Sequence, residues 1–471
     1  MEVIPVPPTD MQTPVRNIRT RTFFIVDDRL DEAALRNGLD RLIRDHWRKL
    51  GARLVTRSKD GLFEYHLPQV FSENYELFKW SSEEKDRPFD TVASALKPPA
   101  QEKGIALLPA MKTIDSWFRP ADWPFHRADE APDVPMLFLH VSLFTDATVI
   151  AISCPHILTD QLGMANIARA WMGILEGNAP PPMVGDKDDV LPGQKPYAEY
   201  PKREIFRKGR MRVRRRFEYF FVVLGFIPEM VIDRVEESYT LFFPLPLVDS
   251  LRERYSKTLE EKYGASPDIT NGDVLTGIIT KFARLHDKKT RTMSLSQTVN
   301  LRGRIPQLSD PATRQAFVHN SLHYATARFR FGPSTPVSEI AYRNRQAIKQ
   351  ALDQKDIELG LTVIREMVRR GQPIHICEPF ERSFNVTNWC PAWREVDFSA
   401  ALEGGKKDAR EGRELKLLVV GQGTELHTPS RYHSTIMCKT EEGYWCDFGA
   451  GAKTAEQIKE YLAKDPFLEN L

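Results

Sequence analysis

Residues 136–177 contain the pattern that most restricts the fold of this chain. Residues 136–143 and 147–154 are apolar runs with strand character, and the polar residues between them predict a hairpin. From residue 160 to 177, apolar residues recur every three or four positions, which predicts a helix. The loop between the second strand and this helix contains His156, so the histidine is placed between two rigid elements.

His156 and Asp160 have the properties of a catalytic pair. An unperturbed histidine has a pKa of about 6.5, so the neutral ring can take a proton from a hydroxyl or an amine near neutral pH. This favours acyl transfer, in which the acceptor must lose such a proton. The alternative is a half-buried histidine whose hydrogen bonds are satisfied, with Asp160 as an ordinary helix cap. A motif this short leaves both interpretations open.

Strand-like and helix-like segments alternate along both halves of the chain. With 471 residues the chain exceeds what one hydrophobic core usually supports, so we expect two domains. The proline triplet 180–182 and the polar stretch up to Pro201 are typical of a linker. The sequence therefore predicts an α/β fold of two similar lobes, each a mixed sheet flanked by helices. We place the N-terminal lobe at 1–195, a crossover linker at 196–240 and the C-terminal lobe at 241–471.

Two further segments carry local predictions. Residues 338–364 have mostly helical character, with a break expected near Gly360. Residues 202–216 are strongly basic, and an apolar stretch at 217–232 follows them. One interpretation of these two stretches is a patch for a membrane surface or an anionic cofactor. The other is a solvated crossover segment whose apolar side packs between domains.

Composition and charge exclude several classes of protein. The net charge of +2 gives no reason to expect binding to nucleic acid, and no zinc-finger or RNA-binding signature is present. His319 and His323 are four positions apart, but Asn320 stands where a zinc-peptidase motif needs glutamate, so we expect no metal site. The five cysteines contain no CxxC pair and fit reduced thiols.

The N-terminal residues lack the pattern of a signal peptide. The best apolar run, 217–232, is short and is interrupted by Glu218, Gly225 and Pro228. We therefore expect no transmembrane span and a cytoplasmic protein, which we take to be a monomer.

Six short segments along the chain carry a resemblance to a known family. They are residues 47–54, 153–163, 271–276, 299–304, 319–321, and 386–389 with 396–398. The second contains HxxxD and resembles the HxxxDGxG signature of the BAHD acyltransferases, within the chloramphenicol acetyltransferase-like superfamily. The others are similar to further segments of that family. The sequence as a whole most resembles the fungal branch of the family, which includes trichothecene acetyltransferases. The resemblance implies a chloramphenicol acetyltransferase-like fold with a channel between the lobes.

The resemblance also implies roles for the residues of the HxxxD segment. His156 would deprotonate the acceptor, which then attacks the thioester of an acyl-CoA cosubstrate. Acetyl-CoA is the expected donor, the acceptor is a hydroxyl or amine of a small specialised metabolite, and no cofactor stays permanently bound. Asp160 would turn away from the acceptor and pair with Arg302, which shapes the loop that presents His156. In the alternative, Arg302 is solvated and Asp160 only caps its helix.

Residues outside that segment receive roles from the same resemblance. Thr387 or Asn388 would donate a hydrogen bond to the tetrahedral oxyanion. Trp389 and Asn320 would line the pocket, and Asp397 would support its structure. In the alternative, Thr387 is an ordinary strand hydroxyl and Trp389 is a core residue.

Two departures from the family pattern leave other functions open. Gln161 replaces the first glycine after the aspartate, and residues 397–401 keep only the first two positions of DFGWG. A non-catalytic, ligand-binding relative is therefore one alternative. The other is a condensation-domain-like enzyme that uses carrier-bound acyl groups, although Pro155 stands where such domains have a second histidine.

Overall fold

Mixed β-sheets flanked by helices make up the computed structural model, which describes residues 1–13, 15–97, 100, 104–264, 267–374, 376–404, 415–423 and 429–471. In this part of the chain fifteen strands form three sheets, and twelve α-helices pack around them. The predicted α/β fold is confirmed. None of the described helices is long and apolar enough to cross a bilayer.

The strands of the three sheets come from all parts of the chain. They are β1 (Glu2–Pro5), β2 (Arg19–Val26), β3 (Arg53–Thr56), β4 (Phe63–Leu67), β5 (Lys79–Glu84), β6 (Ala106–Leu108), β7 (Phe138–Leu143), β8 (Thr148–Pro155), β9 (Glu236–Pro244), β10 (Arg291–Asn300), β11 (Leu322–Phe331), β12 (Arg382–Asn388), β13 (Leu417–Gln422), β14 (His433–Lys439) and β15 (Gly443–Gly451). A five-stranded sheet has the order β13-β2-β8-β7-β5, and a seven-stranded sheet has the order β11-β10-β12-β14-β15-β9-β6. Strands β1, β4 and β3 form a small third sheet.

Helices cover the faces and edges of these sheets. They are α1 (Glu32–Arg41), α2 (Asp90–Ala93), α3 (Met111–Phe118), α4 (Gln161–Leu175), α5 (Lys202–Ile205), α6 (Arg216–Ile232), α7 (Leu245–Tyr263), α8 (Asn271–Ala283), α9 (Pro311–Ala316), α10 (Val337–Ala351), α11 (Gln354–Arg369) and α12 (Ala452–Lys464). The apolar stretch that follows the basic segment is thus one of the longer helices, α6.

The strand–turn–helix unit around residue 156 has the predicted form. Strands β7 and β8 pair antiparallel, with Phe138 opposite Ser153, which confirms the hairpin. Helix α4 begins at Gln161, and the side chain of Asp160 accepts a hydrogen bond from the backbone N–H of Gly163. An aspartate at this position satisfies one of the free N–H groups of the first helical turn.

The break that we predicted near Gly360 is wrong. The helical pattern is interrupted instead at Leu352 and Asp353, and the side chain of Asp353 caps α11 by accepting a hydrogen bond from the backbone N–H of Lys355. Helix α11 continues through Gly360. A Cβ atom there would lie 2.1 Å from Cε1 of His323. This glycine therefore allows close packing against β11 and does not end the helix.

Each of the two large sheets takes one strand from the other half of the chain. Strand β13, from the C-terminal half, pairs antiparallel with β2. Strand β6, from the N-terminal half, pairs antiparallel with β9. The division of the chain into 1–195, 196–240 and 241–471 stays a prediction, because each large sheet contains one strand from beyond the proposed boundary.

Separate clusters of buried apolar side chains accompany the two large sheets. One cluster includes Phe24 and Trp171, and another includes Leu275 and Leu295. Every residue of β8 is buried. Since a closely packed strand has little freedom to move, the backbone that leads into His156 is held firmly.

Candidate active site

His156 directly follows β8 and is half-buried. Its backbone N–H donates a hydrogen bond to the carbonyl oxygen of Ile18 over 2.9 Å. The side-chain amide of Asn320 donates a hydrogen bond to the backbone carbonyl oxygen of His156 over 2.8 Å. Ile18 precedes β2 and Asn320 precedes β11, so elements from both halves of the chain fix the position of the histidine.

Asp160 is buried, and its carboxylate accepts three hydrogen bonds. Oδ1 accepts from the backbone N–H of Gly163 over 2.8 Å. Oδ2 accepts from the backbone N–H of Ser321 and from Nη1 of Arg302, each over 2.9 Å. The carboxylate therefore ties the start of α4 to the segment before β11.

Arg302 is the buried cation beside Asp160. The exposed fractions of the two side chains are 2% for Arg302 and 4% for Asp160. The guanidinium group also donates hydrogen bonds to the backbone carbonyls of Phe317 and His319 and to the side chain of Asn300. A buried ion pair offsets the cost of losing water only when additional hydrogen bonds satisfy both ions, as they do here.

Gly163 lets the first turn of α4 approach the segment before β11. A Cβ atom at this position would lie 1.9 Å from the carbonyl oxygen of Val318 and 2.2 Å from Oγ1 of Thr159. These two atoms are held together, because the Thr159 hydroxyl donates a hydrogen bond to that same carbonyl oxygen over 2.6 Å. The third position after Asp160 therefore requires glycine.

We expect Gly163→Ala to lower the free energy of unfolding by about 1–3 kcal/mol or more, because the added methyl group overpacks a closely filled site. Urea unfolding followed by circular dichroism measures this change. Gly173→Ala is the matched control in the same helix, since a Cβ atom there would meet nothing closer than 3.7 Å. The control should be at least as stable as the wild type. Equal unfolding free energies for the two variants would contradict the expected steric clash.

Burial lowers the pKa of His156, and this effect outweighs the opposing effects of Asp160, Asn320 and nearby backbone groups. The imidazole ring is therefore neutral near pH 7. Nδ1 is buried and has no hydrogen-bond partner within the described ranges. Nδ1 is therefore closed to a molecule in the adjoining cavity.

Two cavities meet beside the HxxxD loop. The smaller has a volume of about 630 Å³, and His156 is part of its lining. The larger has a volume of about 1150 Å³ and is bounded by the start of α8 and by β10. Four residues line both cavities: Leu162, Thr298, Asn300 and Asn388. The two cavities therefore adjoin at these four residues, and His156 lines the smaller of them.

The two cavities differ in charge. Seven charged residues line the larger one: Arg304, Arg345, Arg394, Lys439, Asp273, Glu395 and Asp397. Among the described residues that line the smaller one, only Asp160 has an ionised side chain, and Arg302 already neutralises it. We call the larger the charged cavity and the smaller the neutral cavity.

Thr387, Asn388 and Trp389 lie at the end of β12, inside the seven-stranded sheet. All three are partly exposed and line the neutral cavity together with His156. Oδ1 of Asn388 accepts a hydrogen bond from the backbone N–H of Cys390 over 3.0 Å. That bond does not use the NH2 group of Asn388, which remains a donor at the junction of the two cavities.

Asp397 lies apart from the HxxxD loop. It is exposed at the charged cavity, where its carboxylate accepts hydrogen bonds from the backbone N–H and the hydroxyl of Ser399 over 2.9 and 2.6 Å. These bonds stabilise the short helical turn Ser399–Ala401. In the part of the chain that the structure describes, Asp397 makes no hydrogen bond or ion pair with Asp160 or Arg302.

Sequence reasoning missed a buried polar cluster next to Asn320. Nζ of Lys49 is 3.2 Å from Nε2 of His319, and Oδ2 of Asp10 is 3.9 Å from Nδ1 of the same ring. Burial lowers the pKa of Lys49 to about 8 and raises the pKa of Asp10 well above its usual range. Lys49 and His319 belong to two of the six short segments, which was a usable signal. No local pattern connects Asp10 with them.

Comparisons with known proteins identify the family. No family model matches the chain. Acetyltransferase adrJ of Penicillium rubens is 29% identical over 80% of this chain and 77% of its own length. O-acyltransferase pboC of Aspergillus ustus is 30% identical over 88% of this chain and 85% of its own length. The chain belongs to the BAHD-type acyltransferase family. The predicted membership is thereby confirmed.

The fold of this BAHD-type chain is also found among solved structures. TRI101 of F. sporotrichioides, whose structure was determined in complex with coenzyme A and T-2, superposes with a TM-score of 0.67. The superposition covers 98% of this chain and 97% of TRI101, at 13% sequence identity. The shared fold confirms the predicted chloramphenicol acetyltransferase-like architecture.

The BAHD-type chain accommodates both departures from its family pattern by packing. Gln161 is buried, and its Oε1 accepts a hydrogen bond from the hydroxyl of Thr22 over 3.2 Å, which ties α4 to β2. Phe398, in the segment that corresponds to DFGWG, remains buried against the rings of Phe24 and Trp171.

Proposed function

We propose that this chain transfers an acyl group from an acyl-CoA to a hydroxyl or amine of a small specialised metabolite, with acetyl as the first donor group to test. The observation that carries the proposal is the position of His156, a neutral imidazole in the wall of the neutral cavity and close to the residues shared with the charged one. The coenzyme A bound to TRI101 supports the choice of a coenzyme A thioester.

In the proposed reaction, Nε2 of His156 takes the proton from the acceptor oxygen or nitrogen. The acceptor atom attacks the carbonyl carbon of the thioester and forms a tetrahedral intermediate. When this intermediate collapses, the carbon–sulfur bond breaks and coenzyme A leaves as a thiolate, which takes the proton back from the imidazolium ring. The acyl group is then bonded to the acceptor, and His156 is neutral again.

Thr387 and Asn388 are the candidate donors to the oxyanion of that intermediate. Both lie at the cavity wall, and Asn388 also borders the charged cavity. A preorganised donor of this kind stabilises a transition state by about 3 kcal/mol.

We assign the acyl-CoA to the charged cavity. Coenzyme A carries phosphate groups, and the exposed side chains of Arg304, Arg394 and Lys439 offer cations to bind them. A volume of about 1150 Å³ suits a ligand of this size. Its thioester end would reach the shared residues near His156.

The acceptor is assigned to the neutral cavity, and the lining indicates its chemistry. Hydroxyl and amide groups of Ser296, Asn385 and Thr435 come from the sheet, whereas Phe226 and Met230 of α6 form an apolar wall. Burying a charge there would be costly, because no unpaired ion of opposite sign is available among the described lining residues. We therefore propose an uncharged, mostly apolar acceptor with several hydrogen-bonding groups.

The assignment of the two cavities is tested by a change of charge. The double variant Arg394→Gln, Lys439→Gln should raise KM for acetyl-CoA about 2- to 30-fold and leave KM for the acceptor unchanged, because exposed ion pairs contribute about 0.2–1 kcal/mol each. Lys59→Gln, Lys257→Gln removes two exposed cations outside the cavity and is the matched control. A higher KM for the acceptor alone would place the two substrates the other way round.

The rate should follow the fraction of His156 that is neutral. Since burial lowers its pKa, the ring stays neutral to a pH below the ordinary value of about 6.5. The ratio kcat/KM should therefore be constant near neutral pH and fall on acidification, with a midpoint under about 6.5. Initial rates with an acceptor that does not titrate between about pH 5 and pH 8 measure this. A midpoint above the ordinary histidine value would contradict the proposed environment.

The cellular setting of the reaction is also part of the proposal. It stays a prediction that the protein is a monomer, that it works in the cytoplasm and that it has no nucleic-acid partner. Analytical ultracentrifugation of the purified chain would measure the oligomeric state directly.

A further inference from the structure

Helix α6 exposes an apolar face to solvent. Every residue of this helix described as exposed is apolar or proline: Phe217, Phe220, Phe221, Val223, Ile227, Pro228, Val231 and Ile232. With 3.6 residues per turn, these eight positions occupy one continuous half of the helix surface. The outer half of a surface helix is normally polar, so the usual pattern is reversed here.

The apolar surface continues beyond the helix. Phe380 is 59% exposed, and its ring centroid lies 5.7 Å from that of Phe221. Val235, which follows the helix, is 63% exposed. We call these residues together with the exposed face of α6 the α6 patch. A continuous apolar surface of this kind is typical of a binding site.

Exposed cations lie on both sides of α6 in the sequence. The basic segment before the helix and the residues just after it contribute Lys202, Arg203, Arg207, Lys208, Arg215 and Arg234, with Glu204 as an acidic neighbour. Other arginines of that segment are used inside the protein, such as Arg212, which pairs with Glu218 and Glu378. Within the described ranges, the six exposed cations form no ion pair with a carboxylate. They are therefore available for an anionic partner.

We infer that the α6 patch docks onto the surface of a lipid bilayer that carries anionic headgroups. Its aromatic and aliphatic side chains would enter the boundary between headgroups and acyl chains, while the flanking cations bind the headgroups. Charge complementarity favours this partner over a second copy of the chain, because two patches flanked by cations would repel each other. The helix lies on the surface, since no described helix is long and apolar enough to cross.

The opposite side of α6 suggests what this docking is for. This part of the inference rests on the proposed function. Phe226 and Met230 of the same helix line the neutral cavity. When the α6 patch rests on lipid, only the width of one helix separates the bilayer from the proposed acceptor cavity. An apolar acceptor dissolved in the membrane would then reach His156 by a short path.

Flotation with lipid vesicles tests the docking without any assay of activity. The wild-type protein should float with vesicles of phosphatidylcholine that contain about one-third phosphatidylserine, and bind weakly to phosphatidylcholine alone. Phe220→Ser, Ile227→Ser should lower the partition coefficient about ten- to a hundredfold, since two apolar side chains leave the lipid. Added salt should weaken the binding as well.

A matched control separates the patch from apolar surface in general. Val70→Ser, Phe467→Ser removes two exposed apolar side chains elsewhere, with exposed fractions of 81% and 40%, and should bind as the wild type does. Circular dichroism checks that both double variants remain folded. The inference is overturned if the wild type does not bind anionic vesicles, or if the patch variant binds equally well. It is also overturned if sedimentation shows that the patch variant only converts a dimer into a monomer. None of these outcomes depends on acyl transfer, so the proposed function could stand without the docking.

Discussion

Replacing His156 with alanine should lower kcat roughly a hundredfold to ten-thousandfold while the fold survives, as expected for loss of a general base. The contacts that fix this residue use its backbone N–H and carbonyl oxygen, and alanine keeps both. Removing a half-buried ring from a cavity wall also leaves the apolar core untouched. Initial rates of acetyl transfer and thermal unfolding of the same preparation measure the two effects.

The matched control for this variant is His46→Ala. His46 is exposed and lies outside both cavities, so its loss should leave kcat near the wild-type value. If His156→Ala retained nearly normal activity on a productive pair of substrates, the assignment of the base would be wrong. If the variant unfolded, substitution with glutamine would keep the volume and test the chemistry alone.

Arg302→Met should destabilise the protein by about 3–5 kcal/mol, because it leaves the buried carboxylate of Asp160 without its cation. The Asp160 carboxylate also holds the backbone N–H groups of Gly163 and Ser321. Relaxation around the unpaired charge would move the loop that presents His156, so activity should fall together with stability. Urea unfolding followed by circular dichroism gives the change in unfolding free energy.

Two further variants test whether the Arg302→Met effect comes from the ion pair. Lys349→Met breaks an exposed pair with Asp268 and should barely change stability. The double variant Asp160→Asn, Arg302→Met should be less destabilised than the sum of the two single variants, because no uncompensated charge remains. Additive effects would show that Arg302 and Asp160 act independently, and the ion pair would then not be what holds the loop.

The strand–turn–helix unit around His156 is predictable because its signals are local. Two apolar runs, a polar turn, a helical repeat of apolar residues and an N-cap aspartate all lie within about forty consecutive positions. The contact between Asp160 and Arg302 joins residues 142 positions apart. No periodicity carries that information, and only the resemblance to a family connected the two residues.

Pairing between distant strands is not predictable from local patterns. Strand β13 joins β2 from the opposite end of the chain, and its apolar residues would suit many neighbours equally well. The two cavities are also not predictable from local patterns, because distant segments of the chain form them. Arg394 and Lys439 became candidates for ligand binding only when the fold placed them around one space.

Single residues can also have local roles that a pattern misassigns. Gly360 looked like the end of a helix, although it provides room for the ring of His323. The apolar residues of α6 left two interpretations open in the sequence. The structure shows that apolar residues of α6 lie on different faces of the helix: Phe226 lines a cavity, whereas Phe220 is 62% exposed.

Acyl transfer with His156 as the base is tested most sharply by the mass of the products formed by wild-type protein and His156→Ala. Each would be incubated with acetyl-CoA and a panel of uncharged metabolites that carry hydroxyl or amine groups. We expect the wild type to release one coenzyme A for each product, the product to be heavier by one acetyl group, and His156→Ala to form almost none. Equal product from both proteins, or transfer only from carrier-bound thioesters, would contradict the proposed reaction.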